Sequence, residues 1–156
     1  MKIDLKKVLV PVDFSEASEV ALKYGKAFAE AFGAELHVLH VFEEPVVPAW
    51  TTEGYIPALQ SVREELEKRA REKLQETLSD DERTKFNAQL VLKTGSPFVE
   101  IVRYARDQDI DLIVIGTHGR GAIAHILLGS VADRVVRKAP CPVLTVRHPE
   151  HEFVMP

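Results

Sequence analysis

The segment Leu112-Ile113-Val114-Ile115, four apolar residues in a row between Asp111 and Gly116, constrains the fold of this chain more than any other. A strand wetted on one face alternates polar with apolar side chains. A strand without alternation is covered on both faces, as in the middle of a parallel sheet flanked by helices. The rest of the chain supplies the other layers. Lys6 to Val12 and Glu35 to Val41 read as a first and second strand, Phe86 to Lys93 as a third, and Pro142 to Arg147 as a fifth. Between the first two, Ala17, Val20, Ala21, Tyr24, Ala27, Phe28 and Ala31 recur at helical spacing, with Ser15 as N-cap and Gly33 where a left-handed cap would end the helix. Ala58 to about Leu78 predicts a long charged helix with Leu59, Val62, Leu66, Ala70, Leu74 and Leu78 on one face. Its pairs Glu64/Lys68 and Glu65/Arg69 belong to the solvated side. Ser96 and Pro97 open a further helix, and another runs from Ser130 to about Lys138.

Strands alternating with helices place the chain in the α/β class, and right-handed crossovers leave few topologies. The expected architecture is one domain over residues 1–147, an open five-stranded parallel sheet of order 3-2-1-4-5 with helices on both faces. Residues 148–156 form a tail. At 156 residues the chain is long enough for one core. Its 46% hydrophobic and 28% charged residues, and apolar runs of no more than seven, fit a globular protein without a membrane span. No signal sequence is readable, so a cytoplasmic location is expected. A net charge of −4 argues against the basic face that nucleic-acid binding needs. The single Cys141 excludes an intrachain disulfide and reads as a small buried residue.

Ligands of open α/β sheets bind beyond the carboxyl ends of the strands, where the strand order reverses. Here that point lies between Asp13, ending strand one, and Gly116, ending strand four. The fourth strand runs into Gly116-Thr117-His118-Gly119-Arg120-Gly121, and the next helix opens at Gly129-Ser130-Val131. Glycines allow close backbone approach, and the N–H groups of an opening helix attract phosphate oxygens. Arg120 can add charge, Ser130 a hydroxyl and His118 a donor. Ser130 reads equally as a plain N-cap. Asp13 reads either as a cap or as an acceptor for ribose hydroxyls. No phosphate-loop pattern and no G-x-G-x-x-G after a strand is present, and no catalytic or metal-ligating set stands out. His37 and His40, three apart on a strand, point to opposite faces and cannot share a metal.

The spacing Gly116, Gly119, Gly129, Ser130 is the pattern G-x2-G-x9-G-[S/T]. With Val10-Pro11-Val12-Asp13 and the ending Pro142 to Arg147, it resembles the ATP-binding subgroup of the universal stress protein family, over Lys6 to Arg147. The resemblance implies a Rossmann-like fold that binds ATP, carried with Mg2+. Asp13 would contact ribose, and backbone near Pro11, Val12 and Val41 would hold adenine. Gly116, His118, Gly119, Arg120, Gly129, Ser130 and Val131 would surround ribose and phosphates. It also implies a homodimer through Val143 to Val146, which would cover an apolar edge. The function implied is a nucleotide-binding stress or regulatory protein. A slow ATP hydrolase or phosphotransferase, or a dimeric interaction module with a vestigial pocket, are the alternatives.

Overall fold

The computed structural model describes residues 1–44, 46, 56–117 and 128–147. The elements are β1 (Lys7–Pro11), α1 (Glu16–Phe32), β2 (Glu35–Phe42), α2 (Ile56–Glu76), α3 (Asp80–Lys85), β3 (Gln89–Thr94), α4 (Pro97–Asp107), β4 (Leu112–Gly116), α5 (Ser130–Lys138) and β5 (Val143–Val146). All strand pairs are parallel, in the order β3-β2-β1-β4-β5. The predicted class and strand order are those observed.

The sheet divides two apolar layers, and strand alternation assigns each side chain to one of them. Val8, Val10, Leu36, Val38, Leu112 and Val114 pack under α1 and the last turns of α2. Leu9, Leu39, Ile113 and Ile115 pack under α4 and α5 with Ile101, Tyr104, Ala132 and Val135. Both layers being apolar explains the missing alternation in β4.

Several local expectations shift. A short helix, α3, precedes β3, which therefore starts at Gln89 rather than Phe86. Ser79 and Glu82 close a capping box on α3, and Lys26–Glu82 at 2.6 Å and Lys85–Glu30 at 2.8 Å tie it to α1. Along α1, Tyr24, Ala27 and Ala31 are exposed, whereas Ser18, Leu22, Gly25 and Ala29 are buried. The reason is close approach: a Cβ on Gly25 would stand 2.3 Å from Val10 Cγ2, so the helix turns its smallest residues to the strand. In α2 the predicted apolar face is buried only at Ala70 and Leu74, with Leu78 following. No described side chain from Pro57 to Arg69 is buried, and Val62 is 54% exposed. The i,i+4 pairs there are Glu65–Arg69, Glu67–Arg71 and Glu72–Lys68, the last replacing the expected Glu64/Lys68.

Candidate functional site

β1 departs from its two neighbours at its carboxyl end. Its ladder to β4 stops at Leu9↔Ile113. Pro11, two residues on and facing the same neighbour, has no N–H with which to extend it. The ladder to β2 runs one rung further, through Val12 N–H donating to Leu39 C=O at 2.8 Å. Asp13 and Phe14 follow as a crest between the diverging strands.

The crest is braced from within. Asp13 Oδ1 accepts from the Ser15 N–H at 3.0 Å and from its hydroxyl, an Asx-type turn. Ser15 is the N-cap of α1, its Oγ accepting from the Ser18 N–H at 3.3 Å. Asp13 is thus not itself the cap of α1: its carboxylate organises the turn that presents the cap, Ser15, at the strand end. Phe14 has φ +63°, a left-handed conformation uncommon for a bulky residue. Its ring lies on His40, centroids 4.4 Å apart, and the Lys73 ammonium sits 5.7 Å from the ring centre. His40 Nδ1 donates to the Val12 carbonyl at 2.7 Å. From the sequence, His40 reads either as a residue near a ligand at the strand's end or as an ordinary polar position. The signal was its place two residues from the end of β2, beside the end of β1.

On the other side of the crevice, Gly116 closes β4. A Cβ there would stand 2.8 Å from the carbonyl carbon and oxygen of Ala17, in the first turn of α1. Thr117 follows, buried, with its N–H on the Val146 carbonyl at 2.8 Å, and its own carbonyl accepts from the Gly129 N–H. α5 then begins. Its N-cap is Gly129 rather than Ser130, which occupies the first helical position, and no side chain caps the first turn. Pro11, Val12, Asp13 and Val41 are therefore placed at the ends of β1 and β2. Gly116, Gly129, Ser130 and Val131 lie at the end of β4 and the start of α5. His118, Gly119 and Arg120 lie outside the described residues, as do the tail 148–156 and most of the segment between β2 and α2.

Residues 4–147 match the model of the universal stress protein family. The chain belongs to that family. A universal stress protein of Methanocaldococcus jannaschii is 32% identical over 158 residues, covering 94% of this chain and 98% of that one. The structure of the universal stress protein UspA from Lactobacillus plantarum superposes with a TM-score of 0.80 at 28% identity, over 94% of this chain and all of that one. A universal stress protein from Archaeoglobus fulgidus, solved in complex with dAMP, shares the fold at TM-score 0.56 and 24% identity, over 93% and 99% of the chains.

Three titratable groups with shifted pKa values, His37, Tyr104 and Cys141, lie away from the crevice. His37, buried in β2, exchanges a 2.7 Å hydrogen bond between Nδ1 and the Tyr104 hydroxyl, while Nε2 is 3.0 Å from Glu35 Oε1 but not aligned to bond it. Burial lowers the His37 pKa against the opposing pull of Glu35, and burial pushes Tyr104 up to about 12. Cys141 is pushed up to about 11, by burial and then by the Asp111 charge, as expected of an inert thiol. Among the described residues no three of His, Cys, Asp and Glu gather to hold a metal, and no helix is long and apolar enough to cross a membrane. Among the described residues, the polar groups at the crevice include the first-turn N–H groups of α5 and the Asp13 carboxylate.

Proposed function

We propose that this universal stress protein binds an adenine nucleotide, ATP above all, in the crevice between β1 and β4, and that binding itself is its working event. The observation that carries the reading is the first turn of α5, opened by Gly129 without a side-chain cap, at the reversal of the strand order. Its N–H groups, with the Ser130 hydroxyl, suit phosphate oxygens. The other parts fit around it. Asp13 would accept from the ribose, and Val41 would offer backbone groups to adenine. Gly116, His118, Gly119, Arg120 and Val131 would line the ribose and phosphates, and Mg2+ would travel with the triphosphate. The dAMP complex of the Archaeoglobus fulgidus protein supports the ligand class by shared fold. Among the described residues β5 pairs only with β4, and its outer edge, Val143 to Val146, is the proposed homodimer contact.

The test begins with freshly purified protein, denatured and assayed for released nucleotide by chromatography. Titration of the emptied protein with Mg-ATP by calorimetry follows. Near-stoichiometric ATP, or binding on titration, is expected. Retained ADP would turn the reading toward hydrolysis. A folded protein that ignores millimolar ATP would overturn it.

A further inference from the structure

The backbone bonds between β1 and β2 contain an irregularity at the crevice. In a parallel ladder the N–H and C=O of alternate residues face the same neighbour. Leu39 faces β1, since its carbonyl accepts from Val12 N–H. Val41, two residues on, turns its N–H and C=O to the same side. The next regular rung would be Val41 N–H donating to the Val12 carbonyl. Among the described residues that rung is missing. The Val12 carbonyl instead accepts from the His40 side chain at 2.7 Å.

A carbonyl cannot donate, so the bond fixes His40 with a proton on Nδ1. The ring is held in that orientation by Phe14, stacked on it at 4.4 Å. The consequence is an N–H and a C=O of Val41, side by side, unused by the ladder and facing the space beyond β1. One donor next to one acceptor is the complement of the Watson–Crick edge of adenine, where N1 accepts and the N6 amino group donates.

We propose that His40 is a positioning residue of the nucleotide site: by occupying the Val12 carbonyl it keeps the last rung open, so that the Val41 backbone reads adenine. The proposal rests on the nucleotide-binding reading above, and its test separates the two. His40→Phe keeps an aromatic ring against Phe14 but removes the donor, freeing the Val12 carbonyl to close the rung. His40→Asn keeps a donor at the Nδ1 position and removes the ring. The Val41 amide is then followed by hydrogen exchange in the ligand-free proteins, and Mg-ATP affinity by calorimetry.

In wild type and His40→Asn the Val41 amide should exchange at similar rates. In His40→Phe it should slow at least tenfold. Mg-ATP affinity should stay within about threefold in His40→Asn and fall at least tenfold in His40→Phe. An unchanged Val41 exchange rate in His40→Phe would overturn the open rung. Equal ATP affinity in His40→Phe and wild type would overturn the positioning role, as would losses in His40→Asn as large as in His40→Phe, because the ring rather than the donor would then matter. If wild type itself ignores ATP, the nucleotide reading and the positioning role fall together, while the exchange measurement still decides whether His40 holds the rung open.

Discussion

Gly116 joins the packing of the sheet to the geometry of the site, and its replacement by alanine tests that union. The added methyl would stand 2.8 Å from the carbonyl carbon and oxygen of Ala17 and 3.0 Å from its Cβ. The two nearest atoms are backbone, so no rotamer relieves them and the first turn of α1 must move. Overpacking of this kind costs about 1–3 kcal/mol. Against it stands ~0.4–1 kcal/mol from the lower freedom of the unfolded chain when glycine becomes alanine. A rigid backbone obstacle favours the upper half of the range, for a net loss of about 1–2.6 kcal/mol, centred near 2. With a urea dependence of about 2 kcal/mol per M for a chain of this size, the unfolding midpoint should fall by roughly 0.5–1.3 M. The displaced turn carries Ser15 and, through it, the Asp13 carboxylate, so Mg-ATP affinity should fall at least tenfold by the affinity arithmetic of a ~1.4 kcal/mol misfit. Urea unfolding followed by circular dichroism reads the first effect and calorimetry the second. Ala17→Gly should not rescue Gly116→Ala, because it leaves the Ala17 backbone in place. At Gly25 the obstacle is a side-chain methyl, so Val10→Ala should rescue Gly25→Ala. A Gly116→Ala protein with the wild-type midpoint, or one restored by Ala17→Gly, would refute the argument.

Asp13→Ala should weaken Mg-ATP by about 10- to 100-fold, since hydrogen bonds to a charged group contribute ~1.5–3 kcal/mol; unchanged affinity in calorimetry would remove Asp13 from the site. Gly129→Val should weaken it further by placing a side chain at the entry to α5, and an ordered triphosphate in crystals of that variant would contradict this. His37 has a folded pKa lowered below its ordinary value of about 6.5, so the unfolded chain takes up the proton first. Its contribution to stability is intact above that value and is lost as pH falls from about 6.5 toward the folded pKa. His37→Gln should flatten the stability profile in that window, and an unchanged slope would assign the dependence elsewhere. Tyr104→Phe, which strips the partner from a buried imidazole nitrogen, should cost about 1–3 kcal/mol in urea unfolding. With its thiol pushed up to about 11, Cys141 should be alkylated by iodoacetamide at pH 8 far more slowly than free cysteine, and labelling at the free-cysteine rate would show the thiol to be activated.

The fold was legible because its strongest signals are long-range requirements written locally. An unalternating Leu112–Ile115 run demands two helical layers, and Ser15, Gly33 and Pro97 mark helix ends that the structure places at those positions. The misses have physical causes. The capping box at Ser79 and Glu82 was written in the sequence, but a six-residue helix has too few turns to show an apolar period. The stripe along α1 holds at Ala17, Val20, Ala21 and Phe28 but not at Tyr24, Ala27 and Ala31, because periodicity ranks residues by hydrophobicity, whereas the closest approach to β1 selects for size and buries Gly25 and Ser18. In α2, Val62 and Leu66 continue the apolar period past the last turn that reaches the sheet. Spacing along a helix cannot report where its neighbour ends. For the crevice, the sequence pointed to the glycines and to Asp13. It placed His40 near the strand's end but not its bond to the Val12 carbonyl, which depends on how the adjoining strand pairs.

Three departures from sheet regularity fall at the same end of the same strands, and each has a different chemical cause. Pro11 lacks the donor that would bind β1 onward to β4. His40 offers the Val12 carbonyl a donor in place of the Val41 amide. Gly116 lets the first turn of α1 press against the end of β4, where any side chain would hold it off. At the first two, where β1 leaves β4 after Leu9 and where the Val41 rung is unmade, stand backbone groups that a regular ladder would satisfy. Open rungs persist at this end because side chains, turns and a close-packed helix hold them open. The groups at this end are of complementary kinds, N–H donors at α5 and a donor–acceptor pair at Val41, with the Asp13 carboxylate, turned to Ser15, between them. A ligand that met the α5 donors and the Val41 pair together would carry an anion and a planar edge with one donor and one acceptor. An adenine nucleotide meets that description, and inorganic phosphate or adenine alone meets only part of it. The linked nucleotide should therefore bind far more tightly than adenosine or phosphate, added singly or together, because linkage supplies the second contact at high effective concentration.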